Sequence, residues 1–160
     1  MYAKKILAVK YNKDADESRN APGGSYAQRA RWGISPRFDF ETGDIVLDGA
    51  GRVDMTDAAN SWLQWCVKAV HTQRGACRAY TDSFGADMEW AMSQTGRDAR
   101  GEAIINAITD ALKADPYGRT LAVSGFEFDW SADGVNVSFE LTGAGGCQSS
   151  LSVGLDDSGV

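Results

Sequence analysis

The sequence predicts an α+β fold, with three helices packed on a small, mostly antiparallel sheet, a C-terminal β-hairpin and a strand-donating tail. Two periodicities carry this prediction. Apolar residues recur at three- and four-residue spacing through the middle of the chain, as on one face of a helix, and alternate with polar residues in the last third, as in strands. The chain has 160 residues, 43% of them hydrophobic, which suits one globular domain.

The first third predicts a strand, an arm and a hairpin. Residues 6–11 alternate loosely and predict a short strand, whereas residues 12–25 are charged and then rich in Pro, Gly and Ser and predict an exposed arm. Residues 38–47 alternate large apolar with polar side chains around a turn that contains Gly43. This segment predicts a small hairpin.

Three helices are predicted in the middle of the chain. The first spans residues 57–70, where Thr56 and the acid after it suit a helix N-terminus. A short apolar segment at 86–92 predicts a second helix that is buried on most sides. The third spans residues 99–114 and stops before Pro116, because a residue that precedes proline is disfavoured in helical geometry.

The last third predicts strands. Residues 126–141 alternate on either side of a turn and predict a β-hairpin. The tail carries a thin alternating segment at 151–155, which has little core of its own and is expected to pair with the edge of another chain. Deletion of residues 145–160 is therefore expected to leave a folded domain.

The predicted organisation has three segments. Residues 1–31 form an N-terminal strand and an extended arm, residues 32–142 form the core domain, and residues 143–160 form a Gly/Ser-rich tail.

Composition excludes several functional classes. A net charge of −6 and a pI near 4.7 oppose binding to a phosphate backbone, so nucleic acid is not expected as a partner. No apolar run approaches the roughly 20 residues of a membrane span, and the N-terminus does not resemble a signal peptide. The protein is expected in a cytoplasm, away from membranes.

The reactive residue types predict no catalytic, metal or cofactor site. The three cysteines lack a C-x-x-C pair, which favours reduced and mostly buried thiols. Carboxylates near the middle of the chain, among them Asp87 and Glu89, suit solvated turns and helix faces better than a hydrolytic pair. Motifs for nucleophilic serine, phosphate, dinucleotide and zinc sites are absent from the sequence.

One ordered set of short motifs resembles a known family. TQRG at 72–75 follows an apolar helix and leads through an aromatic residue to FG at 84–85, while FETGD at 40–44 and GRV at 51–53 precede that helix. The order resembles the baseplate wedge or sheath-initiator proteins of contractile phage tails and tailocins, a family sometimes labelled lysozyme-like, in its Gram-positive prophage variant. The resemblance runs from about Trp32 to Leu141.

The resemblance implies a structural role without enzymatic activity or a cofactor. It implies about six copies in a virion or tailocin baseplate assembled in the host cytoplasm, with wedge proteins, the tail sheath protein and tail tube or hub proteins as partners. The protein would join the wedges to the first sheath ring and template sheath assembly. The alternatives are a peptidoglycan-degrading, lysozyme-like hydrolase and a small soluble adaptor of another assembly.

The resemblance also implies partner-binding residues. The family carries a Glu-Pro-Arg motif after its last long helix, and this chain reads DPYGR at 115–119, with a shorter acid and the arginine displaced by two residues. The hairpin and tail resemble the part of the family that offers strand edges to the sheath. The predicted partner-binding residues are Asp115, Pro116, Arg119, Arg74, Phe126, Phe128, Val137, Phe139, Leu151, Val153 and Leu155.

Overall fold

The computed structural model describes residues 4–10, 33–40, 42–144 and 146–156 and confirms the α+β fold. The predicted arm at 12–25 lies outside the described residues. In chain order the elements are β1 (Lys4–Lys10), α1 (Ala58–His71), α2 (Met88–Met92), α3 (Arg97–Lys113), β2 (Thr120–Trp130), β3 (Gly134–Gly143) and β4 (Gln148–Asp156). Each predicted helix and strand has a counterpart, with ends shifted by a few residues.

The four strands form one antiparallel sheet in the order β1-β4-β3-β2. β4 is thus an inner strand, with Val153 opposite Val137 and Leu151 opposite Phe139 on β3. This differs from the expectation that the tail strand pairs with another chain. The physical reason is that the alternating apolar residues of β4 complete the buried face of the sheet, and deletion of residues 145–160 would remove that strand from the core.

The core lies between the sheet and the helices. Trp62 of α1 is fully buried, its indole Nε1 donates to Thr120 Oγ at 3.0 Å, and its ring packs against the backbone of Gly143. Trp65 is only half-buried and packs at the edge of this core. Of the two tryptophans on α1, Trp65 is therefore the one that widens the apolar face.

The N-cap of α1 is Asp57 and not Thr56, whose hydroxyl was predicted to cap this helix, whereas α3 ends where it was predicted to end. The carboxylate of Asp57 accepts a hydrogen bond from Asn60 N at 2.8 Å and caps α1. α3 ends with Ala114 as its C-cap, immediately before Asp115 and Pro116. Among the described residues, no helix is long and apolar enough to cross a bilayer and no cluster of His, Cys, Asp or Glu is arranged to hold a metal ion.

The predicted hairpin at 38–47 is present and forms part of a larger unit, which we call the meander: residues 35–39, 44–48 and 52–56. Its three extended segments close into a triangle, in which Arg37 N donates to Asp54 O, Asp54 N to Val46 O, and Val46 N to Arg37 O, each at 2.9 Å. Each segment therefore pairs with both others.

One buried side chain fixes the meander to α1. Gln64 Oε1 accepts a hydrogen bond from Phe38 N at 2.7 Å, while Gln64 Nε2 donates to Ser35 Oγ at 2.9 Å and to Pro36 O at 3.0 Å. These bonds satisfy the amide of a glutamine that lies on the buried side of the helix. The meander consequently has a fixed position beside α1.

Candidate partner-binding surface

The turn after α3 is built around a buried ion pair. Asp115 Oδ2 accepts from Arg119 Nε at 2.8 Å, and Asp115 Oδ1 accepts from Arg119 Nη2 at 3.1 Å. This is the bidentate geometry in which a planar guanidinium matches a carboxylate best. Only 1% of the Asp115 side chain and 6% of the Arg119 side chain are exposed, so the two charges neutralise each other inside the protein.

The same carboxylate shapes the backbone of the turn. Asp115 Oδ1 accepts from Tyr117 N at 3.2 Å, and Asp115 Oδ2 accepts from Arg119 N at 2.9 Å. An aspartate that bonds to backbone N–H groups shortly after itself is a common way to begin a turn, and the proline at 116 prevents the helix from continuing. Pro116 itself is exposed.

Two aromatic rings flank the guanidinium. The Cζ atom of Arg119 lies 5.6 Å from the centroid of the Trp65 ring and 5.2 Å from that of Tyr117, both within cation–π range. Tyr117 remains 52% exposed. The turn therefore presents an aromatic side chain to solvent from a base of buried, mutually bonded charges.

Tyr117 and Arg119 line a groove of about 700 Å³ between the meander and α1. Its lining includes four aromatic side chains and two cationic ones, namely Phe38, Phe40, Trp65, Tyr117, Lys68 and Arg119. Among the described residues that line it, Asp39 is the one carboxylate. A paired-carboxylate arrangement for glycoside hydrolysis is therefore not formed by the described groove lining.

Arg74 lies away from this groove, in the corner between α1 and α2. Its Nε donates to Gly85 O at 3.1 Å and its backbone N to Ala86 O at 3.2 Å, so it closes the neck of the corner. Gly85 has φ +100°, and a Cβ there would lie 2.6 Å from Thr72 O, a position that only glycine accommodates. Arg74 thus contributes to the corner's structure.

The predicted partner-binding residues of the strands mostly face inward. Val137, Phe139, Leu151, Val153 and Leu155 are all buried in the core, with at most 3% of each residue exposed. Their expected role was to offer strand edges to the sheath, but β3 and β4 are inner strands whose two edges are paired within the same sheet. In the folded chain a partner therefore reaches neither these side chains nor the edges of β3 and β4.

Phe126 and Phe128 are half-buried and pack within the chain. The Phe126 ring stacks on the Phe139 ring with 5.4 Å between the ring centroids, and the Phe128 ring stacks on the Trp130 ring with 5.8 Å between the centroids. The second pair covers Gly101 of α3, where an added Cβ would lie 3.8 Å from the Phe128 ring, an ordinary contact distance. Both phenylalanines therefore contribute to the packing of β2.

The free backbone of the sheet lies at its margins. β2 is a terminal strand, and one of its two edges has no strand partner among the described residues. Its register with β3 shifts between Thr120 and Ala122 and again between Ser124 and Glu127, where Gly125 has φ +62°. Outside these two irregularities, the unpaired edge offers N–H and C=O groups to an added strand.

The remaining reactive groups have structural surroundings. Asp87 caps α2 by accepting from Trp90 N at 3.4 Å and also accepts from Gln73 Nε2 at 3.0 Å, whereas Glu89 is exposed. Burial raises the pKa of the Cys66 thiol far above its ordinary value. Cys66 and Cys147 are buried free thiols, as predicted, whereas Cys77 is exposed.

Sequence reasoning identified Arg119 but missed the other side chains that assemble the groove. Gln64 is a polar residue within the apolar stretch of α1, and this position in the sequence indicates a specific hydrogen-bonded contact. Tyr117, an aromatic residue inside the turn motif, was the available sign of an exposed contact. The stacking of Trp65 on Arg119 depends on the distance between α1 and the turn, which no local pattern encodes.

Comparison with known families assigns this architecture to one group of proteins. A sequence profile described as contractile injection system sheath initiator matches residues 34–146. The match begins at the meander and continues through the helices, the buried ion pair, β2 and β3. No curated protein gives a significant match.

Proposed function

Because the chain belongs to the contractile injection system sheath initiator family, we propose that it joins baseplate wedge proteins to the first ring of the tail sheath and templates sheath assembly. The family match carries the coarser conclusion, a structural role in a contractile injection system. The proposal adds about six copies per baseplate, contacts with tail tube or hub proteins, and assembly in the host cytoplasm.

On the wedge side, the turn at 115–119 and its groove are the proposed contact. The Asp115–Arg119 pair is neutral as a unit and held by four hydrogen bonds to the carboxylate, so it supplies rigidity rather than net charge. Tyr117 is the part of this turn that reaches solvent while resting on the guanidinium. Exposed aromatic residues on rigid supports are common anchors of protein interfaces.

The test of the wedge contact compares two exposed aromatic residues. Tyr117→Ser removes the proposed anchor, and Trp90→Ser removes a ring of similar exposure, 55% against 52%, on α2. In a host that lacks the wild-type copy, the Tyr117 variant is expected to be depleted from purified particles, whereas the Trp90 variant is incorporated normally. Equal incorporation of both soluble, folded variants would contradict the wedge contact.

On the sheath side, the unpaired edge of β2 is the proposed template. Backbone hydrogen bonds at a strand edge give strength with little demand on side-chain identity, which fits a strand whose phenylalanines are used internally. Hydrogen exchange tests this directly. Addition of purified sheath protein is expected to slow amide exchange in residues 120–130 and to leave the solvent face of α3 unchanged, and an unchanged β2 would refute the template.

The hydrolase alternative is tested separately. Asp87 serves as a helix cap and Glu89 is exposed, so no specific observation favours these carboxylates as a catalytic pair. Purified protein is expected to leave peptidoglycan intact in a turbidity assay. Lysis by the wild type that Asp87→Asn or Glu89→Gln abolishes would replace the structural proposal with an enzymatic one.

A further inference from the structure

The free edge of β2 is regular over its last four residues. Residues 127–130 pair in continuous register with residues 135–138 of β3, and Ser131 N donates to Gly134 O at 2.9 Å where this ladder ends. In an antiparallel pair, residues that bond to the neighbouring strand alternate with residues whose N–H and C=O groups point away from it. The backbone groups of Phe128 and Trp130 therefore point to the free edge, where an added strand would pair with them.

The two faces of this edge differ in chemistry. The stacked rings of Phe128 and Trp130 lie on the helix side of the sheet, against Gly101 of α3. Successive side chains of a strand point to opposite faces, so Glu127 and Asp129 lie on the outer face, and both are exposed. The edge thus presents aromatic rings on one face and two carboxylates, two residues apart, on the other.

The negative charge of the outer face is uncompensated. β2, β3 and β4 contain no Lys or Arg. Glu140 shares this face, because the residues on either side of it in β3 are buried, and its Cγ lies 3.2 Å from the position that a Cβ would take at Gly125 of β2. The carboxylates of Glu127, Asp129 and Glu140 make no ion pair within the described part of the chain. Their charge is therefore available to a partner.

We propose that this edge selects an antiparallel strand of a different protein, with Lys or Arg at every second position and apolar side chains between them. The inference rests on the proposed sheath contact and names the chemistry of the strand that the contact takes. The basic residues lie opposite Glu127 and Asp129, and the apolar residues lie beside Phe128 and Trp130. Opposite charges and aromatic–apolar pairs are both stabilising combinations across neighbouring strands.

A second copy of this chain fits the edge less well. Two β2 edges would place carboxylates opposite carboxylates, which destabilises strand pairing. β1 has lysines at positions 4, 5 and 10, none of them two residues apart, and its register with β4 shifts between Ile6 and Ala8. Neither edge of the sheet therefore repeats a positive charge at the spacing of Glu127 and Asp129.

The test uses the full chain, labelled with ¹⁵N, and three synthetic peptides. The first alternates valine and lysine, the second replaces each lysine with glutamate, and the third has the composition of the first with valines and lysines in separate blocks. In NMR titration at physiological salt, the alternating lysine peptide is expected to shift the amide signals of Phe128 and Trp130 and to bind at least about tenfold more tightly than the others. Equal binding of the three, or no shift in residues 127–130, would overturn the proposal.

Methylation of the peptide backbone separates strand pairing from charge attraction. In the proposed antiparallel arrangement, the peptide residues that exchange hydrogen bonds with Phe128 and Trp130 have side chains on the helix side, and these are the valines. N-methylation of the valines is therefore expected to abolish binding, whereas N-methylation of the lysines leaves it. Equal effects, or the reverse order, would contradict the arrangement.

Matched variants locate the charge selection. Glu127→Lys is expected to weaken binding of the alternating lysine peptide about tenfold, because an attractive pair becomes a repulsive one. Asp110→Lys makes the same charge change at an exposed position of α3 and is expected to have little effect. Thermal unfolding verifies that both variants are folded. Equal weakening by the two variants would reduce the selection to overall charge and refute the proposal.

Two comparisons separate this inference from the sheath contact. Sheath protein that slows amide exchange in β2, together with peptides that bind equally, would retain the sheath contact and refute the proposed chemistry. Selective peptide binding without protection by sheath protein would support the edge chemistry and refute the sheath contact. Self-association in sedimentation that Glu127→Lys abolishes, without peptide binding, would assign the edge to a second copy.

Discussion

Replacement of Arg119 by methionine tests the buried ion pair most sharply. Methionine keeps much of the length of the side chain and its contact with the Trp65 and Tyr117 rings, but it removes both side-chain donors to Asp115. The Asp115 side chain is 1% exposed, so its carboxylate would lose its counter-charge without gaining water. Two backbone N–H groups, at 2.9 Å and 3.2 Å, would remain as its partners.

The expected loss follows from the cost of an uncompensated buried charge. Removal of one partner of such a pair destabilises a protein by about 3–5 kcal/mol. For a chain of this length, 1 kcal/mol corresponds to a shift of roughly 2–4 °C in Tm, so Tm is expected to fall by about 10 °C. Urea unfolding followed by circular dichroism measures the change in the free energy of unfolding.

Two further variants make the test specific. Asp115→Asn combined with Arg119→Met removes both charges and keeps an acceptor for the turn, so the double variant is expected to recover most of the loss. Arg52→Met breaks the Asp48–Arg52 pair, in which the side chains are 34% and 80% exposed, and is expected to lower the stability far less than Arg119→Met does. An equally small effect of Arg119→Met would refute the reasoning.

Two other predictions concern packing and thiol chemistry. Gly143→Ala would place a Cβ 2.8 Å from the buried Trp62 ring and is expected to cost about 1–3 kcal/mol in urea unfolding, whereas Gly49→Ala, with nothing within 4 Å, changes stability by under about 1 kcal/mol. A comparable loss at both glycines would contradict the packing argument. In thiol titration of the folded protein, exposed Cys77 is expected to react quickly while buried Cys66 does not. Rapid reaction of Cys66 at neutral pH would contradict its burial. Because burial raises the pKa of the Cys66 thiol in the native state, the unfolded state releases this proton at lower pH. The free energy of unfolding is therefore expected to decrease as pH rises above the ordinary thiol pKa.

Local patterns were sufficient for the elements and insufficient for their long-range pairing. The spacing of apolar residues predicted α1 and α3, and alternation predicted the strand at 151–155. Alternation shows that a strand has one apolar face, but it does not show which strand will cover its edges. The partner of β4 was therefore assigned to another chain, although β1 and β3 of the same chain flank it.

The candidate site was also predicted only in part, because local patterns do not show which distant residues come together. The DPYGR string supplied an acid and an arginine four residues apart, and both are central to the turn. Their inward orientation depends on Trp65, which stacks on the guanidinium from a helix some 50 residues earlier in the chain. The meander was predicted only in part, because its third segment was not predicted to pair with the hairpin.

Sheath initiation is tested most directly by electron microscopy of particles made without this chain. A host in which the coding sequence is deleted is expected to produce baseplates and tail tubes that carry no extended sheath, and the wild-type copy supplied in trans is expected to restore it. Mass spectrometry of the same particles verifies that the chain is absent from the deletion sample. Sheaths of normal length on particles that lack the chain would contradict its role as the initiator.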